Sequence, residues 1–400
     1  MDASSSQLLQ NIFRWYEPSL RAQRMPLKHL KALDAIVSCR TADRGTSIFR
    51  CEAQGTTVVL HHACKHRSCW QCAQREKAVW VKTQQERLID CAHFHVVFTL
   101  PQEYRVLWRY NTAWFTRTFF RVANETLMQL MKDPKHHGVT PGVLMALHTW
   151  GRQLSLHPHI HCVVTAGGET TAKKWKDTGN YLLPIAVVKS LYRGKWQDAI
   201  RTAFDDEELV LPPDQTEAQF RSMHRSLYRK AWSVRIEPKY AHGRGVMLYL
   251  SRYLRGGPIN PHQIERCDAE RIGFRYKDHR DGRKKLLSLK PEEFLRRLMT
   301  HIPEPGQHVV RHYGLYGGAA RERRNRCREQ LGRTKELAPE SRTREPLNCR
   351  CGGILRHMRV IDPTWRKGNS LKQLHRRQSV QQRVEPVSAK TKKISLRVRV

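Results

Sequence analysis

Two histidines stand one residue apart in Leu156-His157-Pro158-His159-Ile160-His161-Cys162-Val163-Val164. Ile160, Val163 and Val164 favour a strand. In a strand, side chains at i and i+2 share a face, roughly 6.5–7 Å apart along the backbone. His159 and His161 can therefore turn ring nitrogens toward one divalent cation, with His157 only leading into the strand. A His-apolar-His triplet by itself is as compatible with ordinary half-buried residues, so the rest of the chain must decide. A strand over 143–150 carries His148 and reaches 159–165 through the short loop Gly151–Ser155. Adjacent antiparallel strands would lay His148 beside the pair, and three imidazoles leave open positions for a phosphate oxygen. A polar residue on the helix that carries Tyr249 and Tyr253 is the competing third ligand. His93 and His95 form a second such triplet.

The remaining nucleophile candidates are phenols. Gly243-Arg244-Gly245 opens a short helix on which Tyr249 and Tyr253 stand at i and i+4, about 6 Å apart along one face. Such pairs usually pack in cores. Beside a cation that polarises a phosphate, a phenol becomes a useful attacking group. No Walker or dinucleotide glycine fingerprint appears, and no Ser-His-Asp or thiol arrangement is evident.

Five cysteines fall between residues 39 and 72, and Cys64, Cys69 and Cys72 form C-x4-C-x2-C. A two-residue gap lets a tight turn offer two thiolates to one Zn2+. Cys51 is the expected fourth ligand, with Cys39, His61, His62 and His66 in reserve. A closed four-ligand shell makes this zinc structural. Lys65 and Arg67 in its loop are expected DNA contacts, with Arg252 and Arg255 beside the tyrosines.

The elements that must position these groups follow from texture. Helical segments are expected at roughly 7–37 and 72–90. A buried strand over 93–100 ends at Pro101, and a long amphipathic helix spans 102–132. Its aromatics, Trp108 to Phe120, recur at helical spacing and belong to a core. The 400 residues carry a formal charge of +36, which points to a polyanion, above all nucleic acid. No stretch approaches the ~20 apolar residues of a membrane span, and the start lacks signal-peptide order. A cytoplasmic protein, nucleoid-associated when bound to DNA, is expected. In that compartment cysteines serve metals or burial rather than disulfides. Residues 321–400 hold 23 Lys and Arg against 7 Asp and Glu and read as a largely flexible basic tail for phosphate contact.

The motif order (cysteine cluster, FTLP strand, HTW, HPHIH, then YLSRYLRGGPI) resembles the two-tyrosine HUH transposases of rolling-circle insertion sequences, specifically the insertion-sequence-ninety-one type. The likeness runs from about Cys39 to Gly314 and includes FRYKDHRDGRKK, whose Asp281-Gly282 signals a hairpin turn. It implies an α+β chain: an HUH nuclease fold, an antiparallel sheet with packed helices, preceded by a small helical zinc-binding module. The expected division is 1–90 for the zinc module, 91–320 for the catalytic domain and 321–400 for the tail. The resemblance also implies Mg2+- or Mn2+-dependent cleavage and rejoining of single-stranded DNA at transposon ends. His159 and His161 then hold the metal, and Tyr249 and Tyr253 attack to form a 5′-phosphotyrosine. The family's zinc loop usually has a cysteine where this chain has Gln54 and a histidine where it has Ser68. Rival readings are a plasmid replication initiator or conjugative relaxase with the same chemistry, and a non-catalytic zinc-containing DNA-binding regulator.

Overall fold

The computed structural model describes residues 3–241, 257–278, 281–332 and 347–363. They fall into two compact units: 1–73 with 260–296 and the segment after 339, and 74–259 with 297–338. Their boundaries interleave along the chain, whereas the expected division ran 1–90, 91–320 and 321–400. A segment of the presumed catalytic stretch belongs to the first unit, because its strands hydrogen-bond among themselves and not into the large sheet.

In the first unit, helices α1 (Ala3–Trp15), α2 (Glu17–Arg21) and α3 (Leu27–Val37) precede a hairpin of β1 (Thr46–Cys51) and β2 (Thr57–His61). Ile12, Phe13, Leu20, Leu33 and Ile36 form the buried side of the helices. The buried amide of Gln10 donates to the carbonyls of Ile36 and Cys39, each at 2.8 Å, fixing the exit of α3.

The second unit starts within α4 (Trp70–Arg87) and is built on a sheet. Its strands are β3 (His93–Thr99), β4 (Thr140–Trp150), β5 (Leu156–Glu169), β6 (Trp175–Asp177) and β7 (Val234–Ile236). Between them run α5 (Arg105–Tyr110), α6 (Thr112–Lys132), α7 (Ile185–Asp205) and α8 (Glu217–Arg229). The chain then returns to the first unit for β8 (Ile264–Cys267), β9 (Ile272–Lys277) and β10 (Lys284–Leu289), a separate antiparallel sheet. After α9 (Pro291–Thr300), β11 (Val310–Gly314) and α10 (Arg321–Gln330) belong to the second unit, apart from the first residues of α9. Strand β12 (Leu355–Ile361) joins β1 in the first unit.

The large sheet is antiparallel in the order β11-β4-β5-β3-β7, with β6 pairing β5. Its two faces differ sharply, as period-2 alternation requires. Phe94, Val96, Phe98, Val143, Met145, Leu147, Ile160, Cys162 and Val164 face the main core with Phe115, Phe119, Tyr192 and Trp196. Leu144, Ala146 and Val163 take the other face, and the histidines of β3, β4 and β5 alternate with the core set. The expected long helix breaks at Asn111, whose side chain accepts the Val210 amide and donates to the Val210 and Leu107 carbonyls. Glycine is sterically required at the end of β11. Gly314 has φ +56°, and a Cβ there would fall 1.9 Å from the Pro141 carbonyl oxygen.

Within the segment expected as a tail, residues 321–330 form α10 and residues 355–361 form β12. Arg324 and Arg328 are buried in α10. Arg324 donates to the Leu315 carbonyl, and Arg328 to those of Glu86, Arg87 and Leu88. A guanidinium fork is suited to collecting the orphan carbonyls at a helix end, so Arg328 closes α4 while Arg324 ties α10 to the turn after β11. Strand β12 is ordered by its ladder to β1. The fold class is α+β as the residues and the resemblance lead one to expect: antiparallel sheets with packed helices, opened by a helical, cysteine-bearing region.

Candidate functional site

The sheet register decides which histidines meet. His148 on β4 pairs directly with His159 on β5, and Ala146 pairs with His161. His148, His159 and His161 therefore share a face. Their candidate ligand atoms all lie within 4.8 Å of one another, and ring centroids are 4.4 Å apart for His148–His161 and 4.8 Å for His159–His161. Between the His148–His159 and Trp150–Leu156 pairs, β5 carries one extra residue. That bulge takes up His157 and Pro158, where a proline lacking its amide hydrogen does least harm in a central strand. His157 lies in the bulge, with its Nδ1 3.0 Å from the Arg105 guanidinium.

The outer contacts fix the rings. His159 Nδ1 donates to the His157 carbonyl at 2.7 Å, which leaves its Nε2 as the lone-pair nitrogen. His161 Nδ1 is 2.8 Å from His95 Nε2, with the two rings stacked 5.0 Å apart. Trp150 stacks on His148 at 4.9 Å. Burial, reinforced by neighbouring imidazoles and Arg235, depresses all these rings. His148 and His161 fall well below the ordinary value, and His95 and His159 to about 4. Neutral imidazoles in contact are the protonation state a metal ligand needs. The donor set therefore fits a divalent cation, and three nitrogens favour Mn2+ over the oxygen-seeking Mg2+.

The second triplet divides. His93 Nδ1 donates to the Cys91 carbonyl and its Nε2 accepts the Tyr316 hydroxyl at 2.6 Å, so it is spent on packing. His95 acts on His161. Sequence reasoning set His95 beside His93 and missed this role; the diagonal between the His95–Val163 and Val97–His161 pairs exists only once β3 is registered on β5. Tyr249, Tyr253, Arg252 and Arg255 lie outside the described residues.

In the first unit, Cys39, Cys64, Cys69 and Cys72 converge with sulfurs within 4.8 Å; Cys39–Cys72 and Cys64–Cys72 are each 3.6 Å. Cys39, held in reserve by the sequence reading, occupies the fourth corner. Its sulfur accepts the Cys64 amide at 3.4 Å. Cys51 is corrected: it ends β1, and its ladder carries it to Cys349 and Cys351. His62 is engaged by Ser47 at 2.8 Å, and His61 by Thr46. The four thiols cannot ionise together without a cation. Contact with Cys64, then Cys69 and Cys72, draws Cys39 down, while contact with Cys39 pushes Cys69 far up. A tetrahedral Zn2+ answers that conflict. Lys65 and Arg67 are exposed on the loop between the ligands.

An antiparallel sheet carrying an imidazole cluster, in a chain with a four-thiol module, points to a metal-using protein of nucleic-acid processing, and comparison with known proteins makes the class a transposase. Residues 142–325 match a family described as "Putative transposase", and residues 11–100 match the "Transposase zinc-binding domain". The chain is 32% identical over 340 residues to "Putative transposase y4qJ" of Sinorhizobium fredii (strain NBRC 101917 / NGR234), covering 82% of this chain and 85% of the relative. It is 30% identical over 296 residues to "Transposase for insertion sequence element IS801" of Pseudomonas savastanoi pv. phaseolicola, covering 72% and 70%. No solved structure matches. The chain belongs to the insertion-sequence-ninety-one-type transposase family. A transposase is a DNA-binding protein, and the zinc-binding domain with its cysteine cluster supports a structural zinc. Among the described residues no helix is long and apolar enough to cross a membrane.

Proposed function

We propose that this transposase nicks and rejoins single-stranded DNA at the ends of its element by rolling-circle transposition, through a covalent 5′-phosphotyrosine. The observation that carries the reading is the convergence of His148, His159 and His161 on one sheet face. When bound there, Mn2+ or Mg2+ supplies Lewis-acid polarisation of the scissile phosphate. His159, held through its Nδ1 by the His157 carbonyl, presents Nε2 to the site, and His95 restrains the ring of His161. Burial keeps the rings neutral, so each offers a lone pair. Tyr249 or Tyr253 gives up its proton to solvent and attacks phosphorus, forming the tyrosyl–phosphate bond as the bond to the 3′ oxygen breaks and that oxygen takes up a proton to leave as a 3′ hydroxyl. Two tyrosines allow one DNA end to remain held while the second strand is cut or rejoined.

The test is incubation of the protein with Mn2+ and labelled single-stranded oligonucleotides carrying the element's end. A covalent adduct is expected from wild type and none from Tyr249→Phe with Tyr253→Phe. A wild-type protein that binds the oligonucleotide and forms no adduct would instead favour a non-catalytic DNA-binding regulator. An adduct that persists in the double variant overturns the assignment of the nucleophiles.

A further inference from the structure

We propose that Cys51, Cys349 and Cys351 form a second zinc site, distinct from the four-thiol cluster, which clips the Cys349–Gly353 turn before β12 to strand β1 with three thiolates and a fourth position open to solvent. The three sulfurs lie within 4.8 Å of one another. Cys51 and Cys351, 300 residues apart in the chain, have sulfurs 3.4 Å apart. That is far beyond a disulfide bond of about 2.05 Å. It approaches the edge of about 3.8 Å that a tetrahedron with Zn–S of about 2.3 Å requires, and it resembles the 3.6 Å separations in the first cluster.

The backbone is shaped around these sulfurs. Cys349-Arg350-Cys351-Gly352-Gly353 folds into a tight turn in which the Cys349 amide donates to the Gly353 carbonyl at 2.7 Å and the Gly352 amide to the Cys349 carbonyl at 2.9 Å. Gly352 has φ +88°, and a Cβ at Gly353 would fall 2.7 Å from Ala53 Cβ and 3.0 Å from Cys51 Sγ. The turn therefore closes on the opposing sulfur only with glycine there. Amides also point at the sulfurs. Gly353 N–H donates to Cys351 Sγ at 3.5 Å, and the Gln54 and Ala53 amides donate to Cys51.

Thiolates are soft ligands that suit zinc, and the three thiols release their protons to solvent on binding it. Among the described residues no fourth Cys, His, Asp or Glu joins the group, and the Glu52 carboxylate is bound 3.0 Å from Arg356. Gln54 stands three residues after Cys51 on the turn whose amides face the sulfur, the place from which a two-residue gap would offer a second thiolate. Cys351 is exposed, so the open corner faces water.

The full-length protein, purified with reductant in zinc-containing medium and freed of loose metal by gel filtration, should carry two zinc atoms per chain by atomic emission. Cys349→Ser with Cys351→Ser should carry one, and that remaining atom reports that the first cluster is still folded. One zinc in wild type, or two in the double variant, overturns the proposal, as does a Cys51–Cys351 disulfide found by mass spectrometry in the reduced preparation. If the double variant binds none, Gln54→Cys decides. It should hold the second zinc against a chromogenic chelator at least about tenfold more tightly than wild type, and an unchanged competition curve overturns the site.

Discussion

His95 Nε2 and His161 Nδ1 lie 2.8 Å apart, joined across the β3–β5 ladder with their rings stacked. Both imidazoles are buried and neutral. The contact holds His161 by one nitrogen and directs the other toward His148 and His159.

His95 should therefore act as a positioning residue. Replacing it with Phe keeps a stacking ring and removes the hydrogen bond. The half-saturating Mn2+ concentration for oligonucleotide cleavage should rise about 10–100-fold, the usual cost of losing an outer-shell partner, with much of the activity recovered at saturating metal. His95→Gln should be intermediate. A His95→Phe titration curve that overlies wild type would remove this role.

The nitrogen-rich site should prefer Mn2+. Half-saturation by Mn2+ is expected at a concentration at least about tenfold below that of Mg2+, because three imidazoles suit the softer ion. His148→Ala, which leaves two nitrogens, should weaken Mn2+ activation and narrow the gap between the two metals. Paired titrations of adduct formation measure both, and equal half-saturation in wild type would contradict the three-nitrogen site.

The first cluster should lose its zinc with Cys39→Ser and keep it with His62→Ala. Metal binding and folding are coupled in such modules, so Cys39→Ser should also open residues 1–73 to proteolysis. Zinc content and limited digestion of the full-length variants provide the readout. A Cys39→Ser protein that retains this zinc would return the fourth corner to another ligand.

Glu169 gives a pH signature. Its buried carboxylate meets Arg326 at 2.7 Å and Arg323 at 2.5 Å. Burial alone would raise its titration, but hydrogen bonds from Arg326 and then Arg323 outweigh that and hold it below the ordinary carboxylate range. A depressed folded-state value contributes stability that is present above the unfolded value, about 4.3, and is lost as pH falls through the folded one. Glu169→Gln should cost about 1–3 kcal/mol near pH 7. The difference from wild type should shrink below about pH 4, as urea denaturation of the two proteins would show. A pH-independent difference would assign the effect to packing.

Much of this was legible in the residues. The β-branched run and its alternating histidines dictate a strand with His159 and His161 on one face, whatever lies beside it. The C-x4-C-x2-C spacing places Cys64, Cys69 and Cys72 together, since it spans only a turn. Amphipathic spacing marks the helix of Trp108 to Phe120, although Asn111 divides it by capturing backbone groups near residue 210.

What local spacing lacks is any record of which distant segments become neighbours. The short β4–β5 connection already set His148 beside His159, but His95 reaches His161 only because β3 lies on the other side of β5. Cys39 and Cys51 are both near the thiol motif in sequence, yet helix α3 delivers one to it while the β1 ladder carries the other toward Cys351. The basic segment 321–330 reads by composition as solvated, whereas Arg324 and Arg328 are buried, the latter where the carbonyls of a helix end need donors. The sequence by itself determined the chemical groups and their local faces, because covalent geometry sets periodicity. Tertiary structure decided the partners beyond one hairpin, because ladder register and packing join segments from tens to hundreds of residues apart.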